Sequence, residues 1–307
     1  MSATKVIYEG ADIYPDVSMG RCWDDMRGWG GMDALTVDFG DTRNLWVSWN
    51  PTEGDSIEIR DGAARTGKML VSTVKPQSSR ITIRAYPAPQ SARVRRCQSW
   101  ERVRLFQLLG DVAGRNGLSY ETYGLENYEY DYVEQDNETD LAFLDRRLSY
   151  EGAAMIVYDG KLVAYSGTWL ESQATTDTMR VTPGVDYEFV DDSARSYGAC
   201  TVTDGSTTST FTAGDGKTLL KVISDRISSQ AEADRFAKGL LRAENREQTR
   251  MVVTTDSMLR GWAPGTVVDL DATAARAWNG KAIVYRMRQD YYDARCKVWL
   301  ARPLGGY

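Results

Sequence analysis

The chain has 307 residues, with 37 Lys and Arg against 43 Asp and Glu and a formal net charge of −6. Its length and its 42% apolar, 26% charged composition fit a folded chain of two or three domains and exclude a disordered or fibrous one. There is no histidine, so Ser-His-Asp and Cys-His nucleophiles, HExxH zinc sites and histidine proton shuttles are all excluded.

Met1 to Gly10 lacks a basic segment followed by an apolar run, so no secretory leader is expected. No window approaches the roughly 18 apolar residues of a membrane span, so no membrane insertion by this chain is expected. Cys22, Cys97, Cys200 and Cys296 are far apart, unlike the close pairs of metal sites. They read as reduced, mostly buried thiols of a protein made in a cytoplasm. Net acidity also predicts weak or absent affinity for nucleic acid.

Residues 1–90 read as strands and turns. Ala34–Phe39 alternates apolar and polar positions, and Leu45–Trp49, Ser56–Arg60, Lys68–Val74 and Arg80–Ala85 follow as further short strands. Such strands, spaced by Gly, Pro and Asp turns, predict a sandwich or barrel. The Gly- and Trp-rich segment from Gly20 to Gly31 reads either as an interface loop carrying Trp23, Arg27 and Trp29, or as a long hairpin tucked onto the barrel.

Residues 91–170 change period. Ser99 is placed as the cap of a helix running through Glu101 to Arg115, with Trp100, Val103, Phe106 and Leu109 on one stripe and Gly117 ending it. A second helix is expected to start at Asn137 as N-cap, with Glu138 and Asp140 in its first turn and Leu141, Leu144 and Leu148 on its buried face. Asp159-Gly160 joins two apolar runs as a hairpin. The middle region is thus α+β.

Residues 171–307 return to strands around one helix. Candidate strands are Tyr187–Val190 and Ala199–Thr203, then Arg250–Thr254, Gly265–Leu270, Ala282–Met287 and Cys296–Leu300. Ser229 and Glu232 form a capping box opening a helix to about Arg246. The first and third regions are both mainly β and of comparable size, without a residue-level repeat.

The segment Tyr130-Asp-Tyr132-Val133-Glu134-Gln135-Asp136-Asn137-Glu138-Thr139-Asp140-Leu141-Ala142-Phe143-Leu144, followed by Glu151-Gly152 and Asp159-Gly160-Lys161-Leu162, resembles the phage late-control D family. These are central hub proteins of contractile-tail baseplates, related to the hub part of type VI secretion spike proteins. The family's Q-x-x-E-S-D-L-x-F-L stretch is matched from Gln135, with Thr139 where serine is usual. Trp100 to Asn116-Gly117-Leu118 resembles the family's helix ending in N-G-L, and Pro264-Gly265 to Asp269 its closing P-G-x-x-V-x-V.

The resemblance implies a fold that is mainly β with an α+β insert: two tail-tube-like β-barrel domains (1–90 and 171–307) flanking a middle α+β domain (91–170). It further implies a homotrimeric ring in the virion baseplate, assembled in the host cytoplasm, that joins a hexameric tail tube to a trimeric spike. Its partners would be the tube protein, the spike, other baseplate proteins and the tape measure protein, with DNA only passing through the lumen. Tyr132, Glu134, Gln135, Asn137, Glu138, Asp140, Leu141, Leu144, Gly152, Asp159 and Gly160 would then be structural motif residues. No catalytic, cofactor or metal residue is assigned. Glu134, Glu138 and Asp140 could serve as glycosidase carboxylates, but a helix start already accounts for them. The competing reading is a tail-tip protein that contacts the cell wall, by binding carbohydrate on its 9 Trp and 17 Tyr or by hydrolysing peptidoglycan.

Overall fold

Alternating patterns in residues 1–90 do become strands. In the computed structural model, which describes residues 4–307, these are β1 (Lys5–Tyr8), β2 (Ala11–Asp12), β3 (Ser18–Arg27), β4 (Ala34–Gly40), β5 (Ser56–Asp61), β6 (Ala64–Arg65), β7 (Met69–Gln77) and β8 (Arg80–Tyr86). Residues 1–3, the start of the segment read for a leader, lie outside the described residues. Leu45–Trp49 is not the expected strand but one helical turn, α1. Asn44 and Asn50 flank it in left-handed conformation, and the turn drops Trp46 into the core, edge-on to Tyr8 of β1 and stacked on Phe39 of β4. Burying one indole between two strands outweighs the β preference of an apolar five-residue run.

The insert holds β9 (Arg95–Arg104), α2 (Leu105–Arg115), β10 (Ser119–Tyr123), β11 (Glu129–Thr139), α3 (Asp140–Tyr150), β12 (Ala153–Tyr158), β13 (Lys161–Ser166) and α4 (Gly167–Ser172). The expected helix from Ser99 is corrected here: Arg95–Arg104 is a strand paired with β11, and α2 starts only at Leu105. Arg102 adopts φ 49°, and the ribbon turns its face there. Trp100 and Val103 therefore both point inward although three apart, a spacing that imitates a helix. The Asp159-Gly160 hairpin forms as expected between β12 and β13, and β10 adds in parallel to β13.

Beyond the insert come β14 (Asp177–Val181), β15 (Asp186–Asp191), β16 (Tyr197–Thr203), β17 (Thr208–Thr212), β18 (Lys217–Val222), α5 (Gln230–Asn245), β19 (Thr249–Thr255), β20 (Val267–Ala272), β21 (Gly280–Asp290) and β22 (Arg295–Ala301). The capping box is present: Ser229 Oγ accepts from Glu232 N–H at 3.2 Å, and Glu232 Oε2 accepts from Ser228 N–H at 2.8 Å. α5 lies on the three-stranded sheet β17-β16-β18, and together they share the core of the insert, so the third region feeds two cores.

The protein is mainly β, with 48% strand and 19% helix, but no sheet closes into a barrel among the described residues. Instead the two β-regions merge. One fourteen-stranded sheet runs β15-β19-β22-β21-β3-β4-β8-β7-β5-β1-β2, with β20 and β14 branching from β21 and β6 from β5. Among the described residues the two halves of the sheet join at the antiparallel pair β3–β21. Each half covers its own apolar cluster, one containing Leu35, Ile59 and Ile83, the other Val253, Val284 and Val298. Three of the four cysteines are buried and all are free.

Candidate functional site

The motif segment spans the end of β11 and the start of α3. The β9–β11 register slips between Gln135 and Glu138, and Asn137 occupies the bulge at φ 51°. Asparagine tolerates that left-handed backbone better than most residues. Asn137 is therefore not the helix cap. Thr139 is, its Oγ1 accepting from Ala142 N–H at 3.3 Å. Glu138 likewise precedes the helix and binds Arg146 at 2.7 Å, leaving Asp140 as the acid of the first turn.

Asp140 is fully buried and ties the insert together. Its Oδ1 accepts from Gln135 Nε2 at 3.0 Å and meets Arg115 Nη2 at 3.0 Å. Its Oδ2 accepts from Asn116 Nδ2 at 2.7 Å, with Arg96 Nε 3.7 Å away. Asn116 also donates to Val112 O, and Gln135 to Glu138 O. One carboxylate thus joins β9, α2, β11 and α3. Asn116 belongs to the N-G-L end of the first helix in the family resemblance, whereas no sequence signal marks Arg115 as its companion.

The remaining motif residues serve packing and turns. Leu144 is fully buried, whereas Leu141 is half-buried at the edge of the same core. Gly152, at φ 65°, comes so close to α5 that a Cβ would sit 3.3 Å from Gly239 Cα. Asp159 also accepts from Lys68 N–H, docking the hairpin turn on the first β-region. Tyr132, Glu134 and Glu138 line a cleft of about 560 Å³ with Arg146 and Asp225. Asp140 is buried away from solvent, so Glu134, Glu138 and Asp140 do not share one accessible cleft.

The interface candidates lie where the two β-regions meet. Trp23, on β3, donates its indole N–H to Asp290 of β21 at 2.9 Å and lies between the guanidinium groups of Arg21 and Arg288. Trp29 stacks on Tyr285 at 5.0 Å and donates to Glu247. Arg27 sits opposite Arg286 across the junction. On the inner face of the same strand pair, Asp24 stands opposite Gln289. Asp24 Oδ1 and Oδ2, Gln289 Oε1 and Tyr291 OH are all buried without a hydrogen-bond partner among the described residues. Burial, with Asp33 and Asp25 nearby, pushes the Asp24 carboxyl well up. Burial likewise raises Asp33 to about 7, although its Oδ1 accepts from Arg27 N–H at 2.7 Å.

The outer face of this sheet is rich in arginine. Arg286 and Arg288 both grip Asp25, each through Nε and Nη2. Arg21 grips Asp38, and Arg80 lies 3.9 Å from the same carboxylate. Burial raises the Asp38 carboxyl, but hydrogen bonds from Thr82 and Arg21 and the two nearby arginine charges outweigh it and hold the group below its usual value. Arg84 lies opposite Thr36 and Thr73, Lys75 opposite Thr82, and Lys297 opposite Arg288. The Arg286 guanidinium covers the Trp299 ring at 4.4 Å.

A long β-sheet assembled from both ends of the chain thus carries an α+β insert between its halves. The chain belongs to the phage tail baseplate hub (GPD) family, whose model matches residues 56–294. The fold is similar to that of a tail protein from Neisseria meningitidis MC58, at 12% identity and a TM-score of 0.76, covering 98% of this chain and 96% of that one. It is also similar to the 43 kDa tail protein of prophage MuSo2 from Shewanella oneidensis, at 12% identity and a TM-score of 0.73, covering 98% of both chains. A type VI secretion component from E. coli, described as structurally similar to the T4 tail proteins gp27 and gp5, gives 13% identity and a TM-score of 0.64 over 99% of this chain and 78% of that one. A comparison with curated protein sequences gives no match.

Proposed function

We propose that this chain is a non-enzymatic hub that forms a homotrimeric ring in the tail baseplate and joins the hexameric tail tube to the trimeric spike. The observation that carries this reading is the division of one sheet into two halves with separate cores, meeting at β3–β21. Three copies of two tube-like β units supply six positions around a ring, the number a hexameric tube requires. On this reading residues 1–90 and 171–307 supply the tube-like units and residues 91–170 the middle domain. The tube, spike, other baseplate proteins and tape measure are the partners, and DNA passes through the lumen. The protein assembles in the host cytoplasm and ends in the virion.

Strands β15 and β2 end the long sheet, and unpaired edges there favour pairing with a neighbouring copy. A cyclic trimer needs two different surfaces to meet at each contact, and these two edges differ. Trp23, Arg27 and Trp29 are proposed to support that contact from the junction. Mass measurement of the purified protein, followed by cryo-EM of tail tips, tests the proposal. Three chains in one ring, each supplying two tube-like units, are expected. Six copies, or one unit per chain, would overturn it.

A further inference from the structure

The part of the sheet face from β7 to β22 that is turned away from the apolar cores is basic, although the chain is acidic. On β7, β8, β3, β21 and β22 the outward positions carry Lys75, two arginines of β8, two of β3, two of β21, and Arg295 with Lys297. Against these nine cations stand Asp38, Asp25 and Asp290 on the same strands, with Glu188 and Glu247 beside Arg27 and Arg286 at the β15 end. Neighbouring strands lie about 4.8 Å apart and alternate residues about 6.7 Å apart. Both spacings fall inside a Debye length of roughly 8 Å, so the potentials of these cations add.

The two recessed carboxylates hold the cations in place. Asp25 and Asp38 bind the Nε and Nη2 edges of Arg286, Arg288 and Arg21. That leaves three of the five N–H donors on each guanidinium for an outside acceptor. Arg84 and Lys297 form no salt bridge among the described residues. Between the cations lie Thr36, Thr73, Thr82 and Gln77, and the two tryptophans are half-buried under guanidinium groups. A protein interface normally centres on buried apolar side chains, whereas on these strands nine cations outnumber the aromatic Trp23, Tyr86 and Trp299 of the same face.

We propose that this face binds the phosphate backbone of duplex nucleic acid, reversibly and without base specificity. The inference goes beyond the hub reading and does not rest on it, since the surface belongs to a single chain. It also reverses the expectation drawn from net charge, which averages away a local field.

Fluorescence anisotropy of the full-length protein with a short labelled duplex of mixed sequence, over a potassium chloride series, tests it. The expected slope of log K against log salt is about −4, the release expected from four to five phosphate contacts. Arg84→Glu with Lys297→Glu should weaken binding at least about tenfold and flatten the slope by about 2. Lys217→Glu with Arg226→Glu, an equal change of charge elsewhere on the surface, should leave it unchanged, and thermal melting checks that each variant is folded. No binding at low salt, equal loss from both variant pairs, or displacement by an acidic peptide as readily as by unlabelled duplex would each overturn the proposal.

Discussion

Asp140 in the insert and Asp24 at the junction are both fully buried aspartates, and they are treated oppositely. Asp140 has two amide donors and two guanidinium groups around it. Among the described residues Asp24 has no hydrogen-bond partner, and it stands opposite Gln289, whose Oε1 is also unpartnered, with the unpartnered Tyr291 hydroxyl nearby. A buried carboxylate that is fully bonded locks the elements around it, whereas one without donors keeps its proton. The insert is therefore fastened by its polar core. The junction is a place where two apolar clusters meet across an under-bonded polar gap.

The sharpest way to break this contrast is Asp140→Ala, which strands Arg115 and two amides. We expect a loss of about 3–4 kcal/mol in chemical denaturation, at the lower end for a broken buried pair because Arg115 is partly exposed. A loss below about 1 kcal/mol would show that the knot is not structural. Leu144→Ala removes a fully buried side chain from the same region and should cost about 3 kcal/mol, read as a lower melting temperature or soluble yield.

Asp24→Asn should act in the opposite direction, raising stability by about 1–2 kcal/mol at pH 8, because an amide can donate to Gln289 without carrying charge. The sign follows from proton linkage. Asp24 and Asp33 hold their protons more tightly when folded, so their stabilising contribution is present at low pH. It is lost as pH rises from the ordinary carboxylate range through about 7, the Asp33 value. Melting curves of the wild type should therefore fall between pH 5 and 8, and the Asn variant should flatten that fall. A steeper fall in the variant would refute the assignment.

Smaller effects separate the two neighbouring polar residues at the start of α3. Thr139→Ala removes the cap and should cost about 1 kcal/mol. Asn137→Gly should be neutral to within a few tenths, because glycine accepts the bulge geometry as readily. Equal losses at both positions would restore Asn137 to the cap.

Legibility followed the range of the interactions. The Ser229–Glu232 capping box and the Asp159-Gly160 hairpin were readable because their physics is contained within a few residues. Asn137 was misplaced by two positions because a β-bulge and a helix cap recruit the same residue type. The β9 strand carried a helix-like spacing only because Arg102 turns the ribbon, which no local pattern announces. The Asp140 knot was half visible: Gln135 and Asp140 lie in one motif, while Asn116 and Arg115 come from another helix. The basic face was invisible to a count of charges, since its members come from strands more than 200 residues apart.

The β3–β21 junction also fixes the order in which the molecule can be completed. Arg286 and Asp25, hydrogen-bonded across it, are separated by 261 residues of chain. As the polypeptide leaves the ribosome, β4 can pair with β3 early, but the other edge of β3 waits through the whole insert and α5 for its partner. Pairings this distant form slowly, and an open strand edge recruits whatever strand is nearest. The same strand pair that later makes one sheet of two halves thus leaves a strand edge open through most of synthesis.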